Sequence, residues 1–99
     1  MTVKAPEKPQ HLTALEHANE VRLAAARLKR DLAAGRVTVR QALRDPRAGC
    51  LTTLDLLMAQ HRWGRQRAVR VLTPNLIPEL KRIRDLTDRQ VEILADACR

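Results

Sequence analysis

The sequence almost completely lacks aromatic side chains. Its 99 residues contain no phenylalanine, no tyrosine and one tryptophan, so the core has to come from leucine, valine, isoleucine and alanine. β-Sheets favour aromatic and β-branched residues, and alternating runs of these are also missing. An aliphatic composition of this kind suits closely packed helices. We therefore expect an all-α fold, and the chain length predicts one domain.

Cysteine and long apolar runs are scarce as well. Cys50 and Cys98 do not form a pair with metal-ligand spacing, and His11, His17 and His61 are not placed to complete a site. We therefore expect no metal and no cofactor. Two isolated thiols in a chain without an export signal indicate the reduced cytoplasm, although a disulfide between them is the alternative. No apolar run approaches the roughly 20 residues that span a bilayer, so no membrane partner is expected.

Acidic residues are few compared with basic ones. The chain has 19 lysines and arginines against 11 acids, which gives a formal net charge of +8. Such an excess of positive charge attracts polyanions. Most of the basic residues are arginines, whose guanidinium forks onto phosphate and stacks on bases better than lysine does. A GC-rich coding sequence is the alternative explanation for arginine in place of lysine, but it does not explain the net charge.

Four capping patterns divide the chain into helices. In each, a threonine is followed three residues later by a side chain that satisfies its backbone amide. These patterns are Thr13–Glu16, Thr38–Gln41, Thr52–Asp55 and Thr87–Gln90. The first predicts a long helix over residues 12–35, closed by Gly35 just after its last turn and preceded by a flexible arm over residues 1–11. Its apolar stripe is expected to contain Val21, Ala25, Leu28 and Leu32.

Helix breakers predict the remaining boundaries. Asp45-Pro46 stops the second helix near Arg44, because the residue before proline avoids the helical conformation. A turn at residues 62–64 separates the third helix from a fourth helix over residues 65–72. Pro78 suits the first position of a short helical turn that runs to residue 82. The last helix is expected to bury Val91, Leu94 and Ala95, with Cys98 as a further candidate.

The charges are segregated along the chain. Residues 60–84 contain seven basic residues and one acid, whereas residues 85–99 contain two basic residues and four acids. Residues 36–47 contain four arginines and one acid. A surface that is merely solvated mixes the two signs. The basic part of the chain is therefore predicted to bind something negative.

The strongest candidate site is the turn at Gly64. A glycine there permits a positive φ or the close approach of another backbone. The amides that follow it are unpaired donors at a helix N-terminus, which suits an anion. With Arg65, Arg67 and Arg70 beside it, we interpret the turn as a phosphate clamp of the helix-hairpin-helix type. An ordinary corner between two helices is the alternative. Trp63 is either a core anchor or a stacking wedge.

Two further arginine-rich groups accompany this turn. Lys81, Arg82 and Arg84 precede the last helix and suit phosphate or a narrow minor groove, with a solvated loop as the alternative. Another group recurs every four residues and would share one face of a continuous helix. It consists of Arg36, Arg40 and Arg44.

The run from residue 56 to residue 94 resembles the actinobacterial integration host factors, which are small nucleoid proteins with a helix-two-turn-helix domain. One part of the family pattern is a Leu-Leu, a Gly-x-Gly hairpin and an Arg-Ala. It is matched here by Leu56-Leu57, Arg62-Trp63-Gly64 and Arg67-Ala68. The other part is Arg-Arg-apolar-Arg-Gly-Leu-Gly-Asp-Arg-Gln, matched by KRIRDLTDRQ at residues 81–90. The segment ARLKRDLAAGRVTVRQAL is similar to the preceding helices of the family, so the resemblance covers residues 22–95.

Two departures from the family pattern fall at the candidate site. Arg62 replaces the first hairpin glycine, so the backbone there is expected to approach phosphate less closely. Asp85-Leu86-Thr87 replaces Gly-Leu-Gly, which places a negative charge near the second group of contacts. These differences point to a divergent homologue, encoded by a cell or by a phage.

The resemblance implies an architectural, nucleoid-associated protein that binds duplex DNA with little sequence specificity, bends or compacts it and assists recombination. It implies a helix-two-turn-helix DNA-binding domain of four to five short helices over residues 36–99. We expect a monomer or a weak dimer. The expected DNA contacts are Arg62, Trp63, Gly64, Arg65, Arg67, Arg70, Lys81, Arg82, Arg84, Thr87 and Arg89, with Arg36, Arg40 and Arg44 as a secondary contact.

Two other functions stay open at this point. The same clamp could bind structured RNA, as a ribosomal protein of this fold does. The acidic last helix and the thin apolar stripe of the first helix could instead dock a protein partner, which would make the chain an adaptor. An enzyme is not expected, because the chain has no recognisable acid–base pair and no room for a separate catalytic domain. No small-molecule substrate is expected either.

Overall fold

The structure is a computed structural model that describes residues 10–98. Within this range, helices alternate with short turns. The only strand-like pairing among these residues is one antiparallel bridge between Thr52 and Arg82. The predicted all-α fold with a long N-terminal helix is confirmed. The helices are α1 (Gln10–Ala33), α2 (Val39–Leu43), α3 (Thr53–Met58), α4 (Arg65–Leu72) and α5 (Asp88–Ala97), with 3-10 turns at Pro46–Ala48 and Ile83–Asp85.

The first helix ends as predicted but begins earlier. Gly35 has a φ of +77°, its amide donates to the Leu32 carbonyl, and the Arg36 amide donates to the Asp31 carbonyl. This is the Schellman pattern, in which glycine tolerates the left-handed conformation. The helix begins at Gln10, so the prediction of Thr13 as its cap is wrong: residues 10–12 contain no breaker, and the helix extends through them.

Residues 1–9 of the predicted arm lie outside the described residues. The last two residues of that arm are part of α1. The structure contains no helix, within residues 10–98, that is both long enough and apolar enough to cross a membrane.

The other three capping predictions are confirmed. Thr38, Thr52 and Thr87 each cap a helix, and in each case the side chain three residues later bonds back to the backbone of the cap. Each reciprocal pair satisfies two amides that a helix start leaves unpaired. These boxes fix where α2, α3 and α5 begin.

The core is aliphatic, as the composition requires. Three of the four residues in the predicted stripe of α1 are buried, and Val21 is half-buried. On the last helix Leu94 and Ala95 are buried, whereas Val91 and Cys98 are only half-buried. The largest fully buried aliphatic side chains are Leu28, Leu56, Leu57, Leu72 and Leu94.

The segment after Pro78 is not helical, which corrects the predicted turn to residue 82. Its carbonyls accept hydrogen bonds from the start of α3: the Thr53 amide donates to Lys81 (2.9 Å) and the Leu54 amide to Glu79 (3.1 Å). The Thr53 hydroxyl donates to the carbonyls of Pro78 (2.6 Å) and Glu79 (2.9 Å). Carbonyls that are used across the fold cannot propagate a helix. Only a single turn forms, and a 3-10 turn follows at residues 83–85.

This pairing predicts a specific cost for Thr53, which is completely buried. We expect Thr53→Val to lower the free energy of unfolding by about 0.5–1.5 kcal/mol, because the carbonyls of Pro78 and Glu79 lose the hydroxyl that they share while the volume is kept. Urea unfolding measures the change. Thr53→Ser is the control, because it keeps the hydroxyl and removes one methyl group. A larger loss for Ser than for Val would show that the methyl, and not the hydroxyl, matters.

Candidate nucleic-acid interface

The hairpin between α3 and α4 has its strained residue at Arg62. Arg62 has a φ of +64°, and the Trp63 amide donates to the Gln60 carbonyl at 3.1 Å. Gly64 has a φ of −90°, so of the two roles that the sequence allows for this glycine, the positive φ is not the one it has. The left-handed conformation falls instead on the position where the family pattern has its first glycine. Arginine adopts it at a steric cost that glycine would not incur.

Gly64 matters for access rather than for conformation. It is the N-cap of α4 and makes no side-chain capping bond, unlike the threonines of α2, α3 and α5. A Cβ atom placed on it would meet nothing within 4 Å. The space beside the Gly64 Cα atom is therefore open. Backbone amides at a helix N-terminus that lack a side-chain partner are suited to an anion.

The four arginines of the hairpin differ in their contacts. Arg65 forms an ion pair with Glu79 at 3.0 Å, and the Arg67 guanidinium stacks on the Trp63 ring at 4.3 Å from its centroid. Arg62 and Arg70 are exposed and form no ion pair with another residue in the range 10–98. Two cations are thus free at the surface, and two are held in place by neighbours.

Trp63 is a core anchor with one accessible face. It is half-buried and packs against the aliphatic core. It also lines an open cleft of about 530 Å³, together with Leu32, Val37 and Cys98. The stacked Arg67 covers part of the ring, which favours the anchor over the wedge interpretation of the sequence.

The second basic group lies against the middle of α1, away from the hairpin. Arg82 donates to the Cys50 carbonyl, and both Arg82 and Arg84 line a cleft of about 440 Å³ with Arg22 and Lys29 of α1. This cleft shares no lining residue with the one beside Trp63. Lys81 donates to Gln90 at 3.0 Å instead.

The two α1 cations of this second cleft were missed by the sequence analysis. Arg22 and Lys29 are seven residues apart, which is the one signal that they share a helix face. The spacing alone does not say that this face meets the loop at residues 82–84.

The arginine group of residues 36–44 is neutralised within the protein. Arg40 pairs with Glu92 at 2.8 Å, and Arg44 pairs with the same carboxylate at 2.6 Å. Arg36 lies before α2 and pairs with Asp31 at 3.0 Å, so the three arginines do not share one continuous helix. The Arg40 hydrogen bond, assisted by Arg44, lowers the pKa of Glu92 below its ordinary value. The acidic last helix thus serves as the counter-charge for α2.

The remaining predicted contacts have structural roles or face solvent. The Thr87 hydroxyl accepts the Gln90 amide at 3.1 Å as the cap of α5, and Arg89 is exposed in the first turn of that helix. Burial raises the pKa of the Cys98 thiol, which disfavours a thiolate nucleophile or metal ligand. Across the described part of the chain, no group of three or more potential ligands could hold a metal ion.

The fold is shared with a DNA-bound protein of known structure. No protein-family model matches the sequence, and a search of curated proteins finds no match. Among solved structures, "Structure of sIHF bound to an 8bp palindromic DNA" matches with a TM-score of 0.74 at 23% sequence identity, covering 85% of this chain and 99% of that chain. The resemblance to integration host factors is confirmed at the level of the fold.

The left-handed Arg62 generates a stability prediction. We expect Arg62→Gly to raise the free energy of unfolding by about 1 kcal/mol, because glycine adopts a positive φ without the clash of a Cβ atom. Thermal or urea unfolding measures it. Arg62→Ala removes the same charge and keeps the Cβ atom, so we expect no comparable gain. Equal effects of the two variants would mean that charge, not backbone strain, governs this position.

Proposed function

We propose that the protein is an architectural DNA-binding protein that contacts duplex DNA through the α3–α4 hairpin. The observation that carries this proposal is that the start of α4 has no side-chain cap, has open space beside Gly64 and lies next to the exposed Arg62 and Arg65. Its fold likeness to sIHF, a protein whose structure holds an 8-bp DNA, supports the same conclusion.

In this proposal a DNA phosphate occupies the space beside Gly64. The first amides of α4 donate to its oxygens, and Arg62 and Arg65 supply positive charge beside it. Arg70 lies in the last turn of α4 and would contact a neighbouring phosphate. Trp63 holds the Arg67 guanidinium in position by stacking. Contacts of this kind fix the register of a protein on a duplex but do not read its bases. Binding with little sequence preference follows.

A second phosphate track is proposed in the cleft between α1 and residues 82–84. Arg22, Lys29, Arg82 and Arg84 line it, and no acid does. A duplex that reaches both this cleft and the hairpin contacts the protein on two separate surfaces. Bending or compaction of DNA, and assistance to recombination, are the functions that such two-sided contact supports.

The arginines of α2 are left out of this interface. Glu92 already pairs with Arg40 and Arg44, so phosphate would have to displace a carboxylate there. The same pairing weakens the adaptor hypothesis, because the acidic surface of α5 that would attract a protein partner is engaged within the chain. The proposal includes no catalytic step.

Affinity should depend steeply on salt. If the six arginines at positions 62, 65, 67, 70, 82 and 84 each neutralise a phosphate, the logarithmic salt slope is about −5. We expect the Arg65→Ala/Arg67→Ala double variant to bind more weakly and to flatten the slope by about 2. Gel shifts or fluorescence anisotropy on one duplex over a salt series measure both quantities.

The matched control for that variant is Arg40→Ala/Arg44→Ala, which removes the same charge from the pairs with Glu92. Its slope should stay close to that of the wild type. Equal losses in the two double variants would indicate that net charge, rather than the hairpin, drives binding. The remaining alternative is that the protein binds structured RNA. A competition experiment with structured RNA of equal length tests it. If the RNA displaces the DNA more effectively than unlabelled DNA does, RNA is favoured as the natural partner.

Glu79 is expected to compete with phosphate for Arg65. We predict that Glu79→Gln tightens DNA binding about two- to fivefold, because an exposed ion pair is worth at most about 1 kcal/mol. The same anisotropy titration measures this gain. Glu92→Gln is the control, since it frees arginines that lie outside the proposed interface. An equal gain in both variants would contradict the assignment of Arg65 to the DNA surface.

A further inference from the structure

The side of α1 that faces away from the core is centred on Leu23. Leu23 is 55% exposed, whereas Ala25, Leu28 and Leu32 are buried on the opposite side. Residues three, four, seven and eight positions from Leu23 share its side of the helix. We call this set the outer face of α1. It consists of Leu15, Glu16, Asn19, Glu20, Leu23, Ala26, Arg27, Arg30 and Asp31.

Four of the five charges on the outer face are ordered by sign, and the fifth, Asp31, is already paired with Arg36 and Arg47 within the chain. Glu16 and Glu20 precede Leu23, and Arg27 and Arg30 follow it. Each pair places like charges three or four residues apart, which costs a few tenths of a kcal/mol in an isolated helix. Glu20, Arg27 and Arg30 form no ion pair with another residue that the structure describes. The acidic end of the outer face of one copy would therefore lie against the basic end of the outer face of a second copy that runs antiparallel to it.

We propose that the outer face of α1 binds a second copy of the chain in antiparallel orientation, with the two-fold axis passing at Leu23. The two copies of Leu23 then pack against each other. Glu20 of each copy lies beside Arg27 of the other. These residues are three positions before and four positions after Leu23, and both are displaced to the same side of a line drawn through Leu23 parallel to the helix axis. One interface thus contains two identical ion pairs, as an isologous two-fold contact requires.

The apolar residues of this region fit the same arrangement. An open cleft of about 490 Å³ runs between α1 and α3, where Ala26, Ala33, Met58 and Ala59 line it together with the charged residues Lys29, Arg30 and Asp55. Leu15 is eight residues before Leu23, so in the antiparallel pair it lies over this cleft of the other copy. Leu15 is 56% exposed and Met58 is 41% exposed in the single chain. The two-fold axis brings together three exposed apolar side chains that the single fold leaves in water.

The geometry of the domain permits this contact. Most of the rest of the chain packs on the opposite side of α1, through Leu28 and Leu32, and α3 borders one edge of the outer face, where Met58 and Ala59 line a cleft with Ala26. Specific interfaces that are stable bury at least about 1,000 Å², and one helix pair lies near that limit. We therefore assign a reversible, concentration-dependent dimer. The hairpin lies outside the outer face, so dimer formation leaves two hairpins accessible, whereas Ala26 and Lys29 line both the cleft that the second copy covers and the second basic cleft.

Charge-reversal variants test this assignment on DNA-free protein by sedimentation equilibrium. The wild type should shift from monomer to dimer as its concentration rises toward about 1 mM. Glu20→Arg and Arg27→Glu should each weaken dimer formation by about tenfold, because two attractive pairs become repulsive. A mixture of the two single variants should form a heterodimer, and the Glu20→Arg/Arg27→Glu double variant should dimerise like the wild type.

Two results would overturn the proposal. One is a wild type that stays monomeric over the whole concentration range. The other is a dimer that survives both single reversals, which would place the interface elsewhere. Helix content by circular dichroism verifies that the variants are folded, and both positions are exposed, so folding should be unaffected. Since no DNA is present, either failure is distinct from a failure of DNA binding.

Discussion

The pairing of residues 51–54 with residues 78–83 is the constraint on which the rest of the fold depends. Three backbone hydrogen bonds and the buried Thr53 hydroxyl join two segments that are about 25 residues apart in sequence. The pairing carries the connector after α4 back to the start of α3. It thereby places Glu79 beside Arg65 and places Arg82 beside Cys50. Both basic surfaces owe their positions to this contact.

The charge of the protein is used in two different ways. On α2 the arginines are matched by carboxylates of α5, so they stabilise the packing of two helices. At the hairpin and along the cleft of α1, the cations outnumber the acids, and within residues 10–98 Glu79 is the one carboxylate that forms an ion pair with a hairpin arginine. A net charge of +8 therefore understates the contrast between these surfaces. The excess is concentrated where the backbone of α4 is open to an anion.

Local signals predicted most of the fold. Three of the four threonine caps, Gly35 and the aliphatic stripe of α1 depend on residues within one or two turns, so the sequence is sufficient for them. The non-helical segment after Pro78 was missed because its carbonyls are satisfied by α3, which no local pattern reveals. The pairing of Arg40 with Glu92 joins residues that are 52 positions apart. Counting the charges in each segment does not predict which segments pack together, so this ion pair could not be predicted. The positive φ at Arg62 was hidden by a non-glycine residue.

The central claim is that the start of α4 binds a DNA phosphate through its backbone amides. Titration of the isotope-labelled protein with a short duplex, followed through backbone amide NMR shifts, tests it most directly. The account predicts that the amides of Gly64, Arg65 and Gln66 shift early and strongly, while those of α2 change little. Shifts concentrated on α2 and α5, with an unperturbed hairpin, would contradict it.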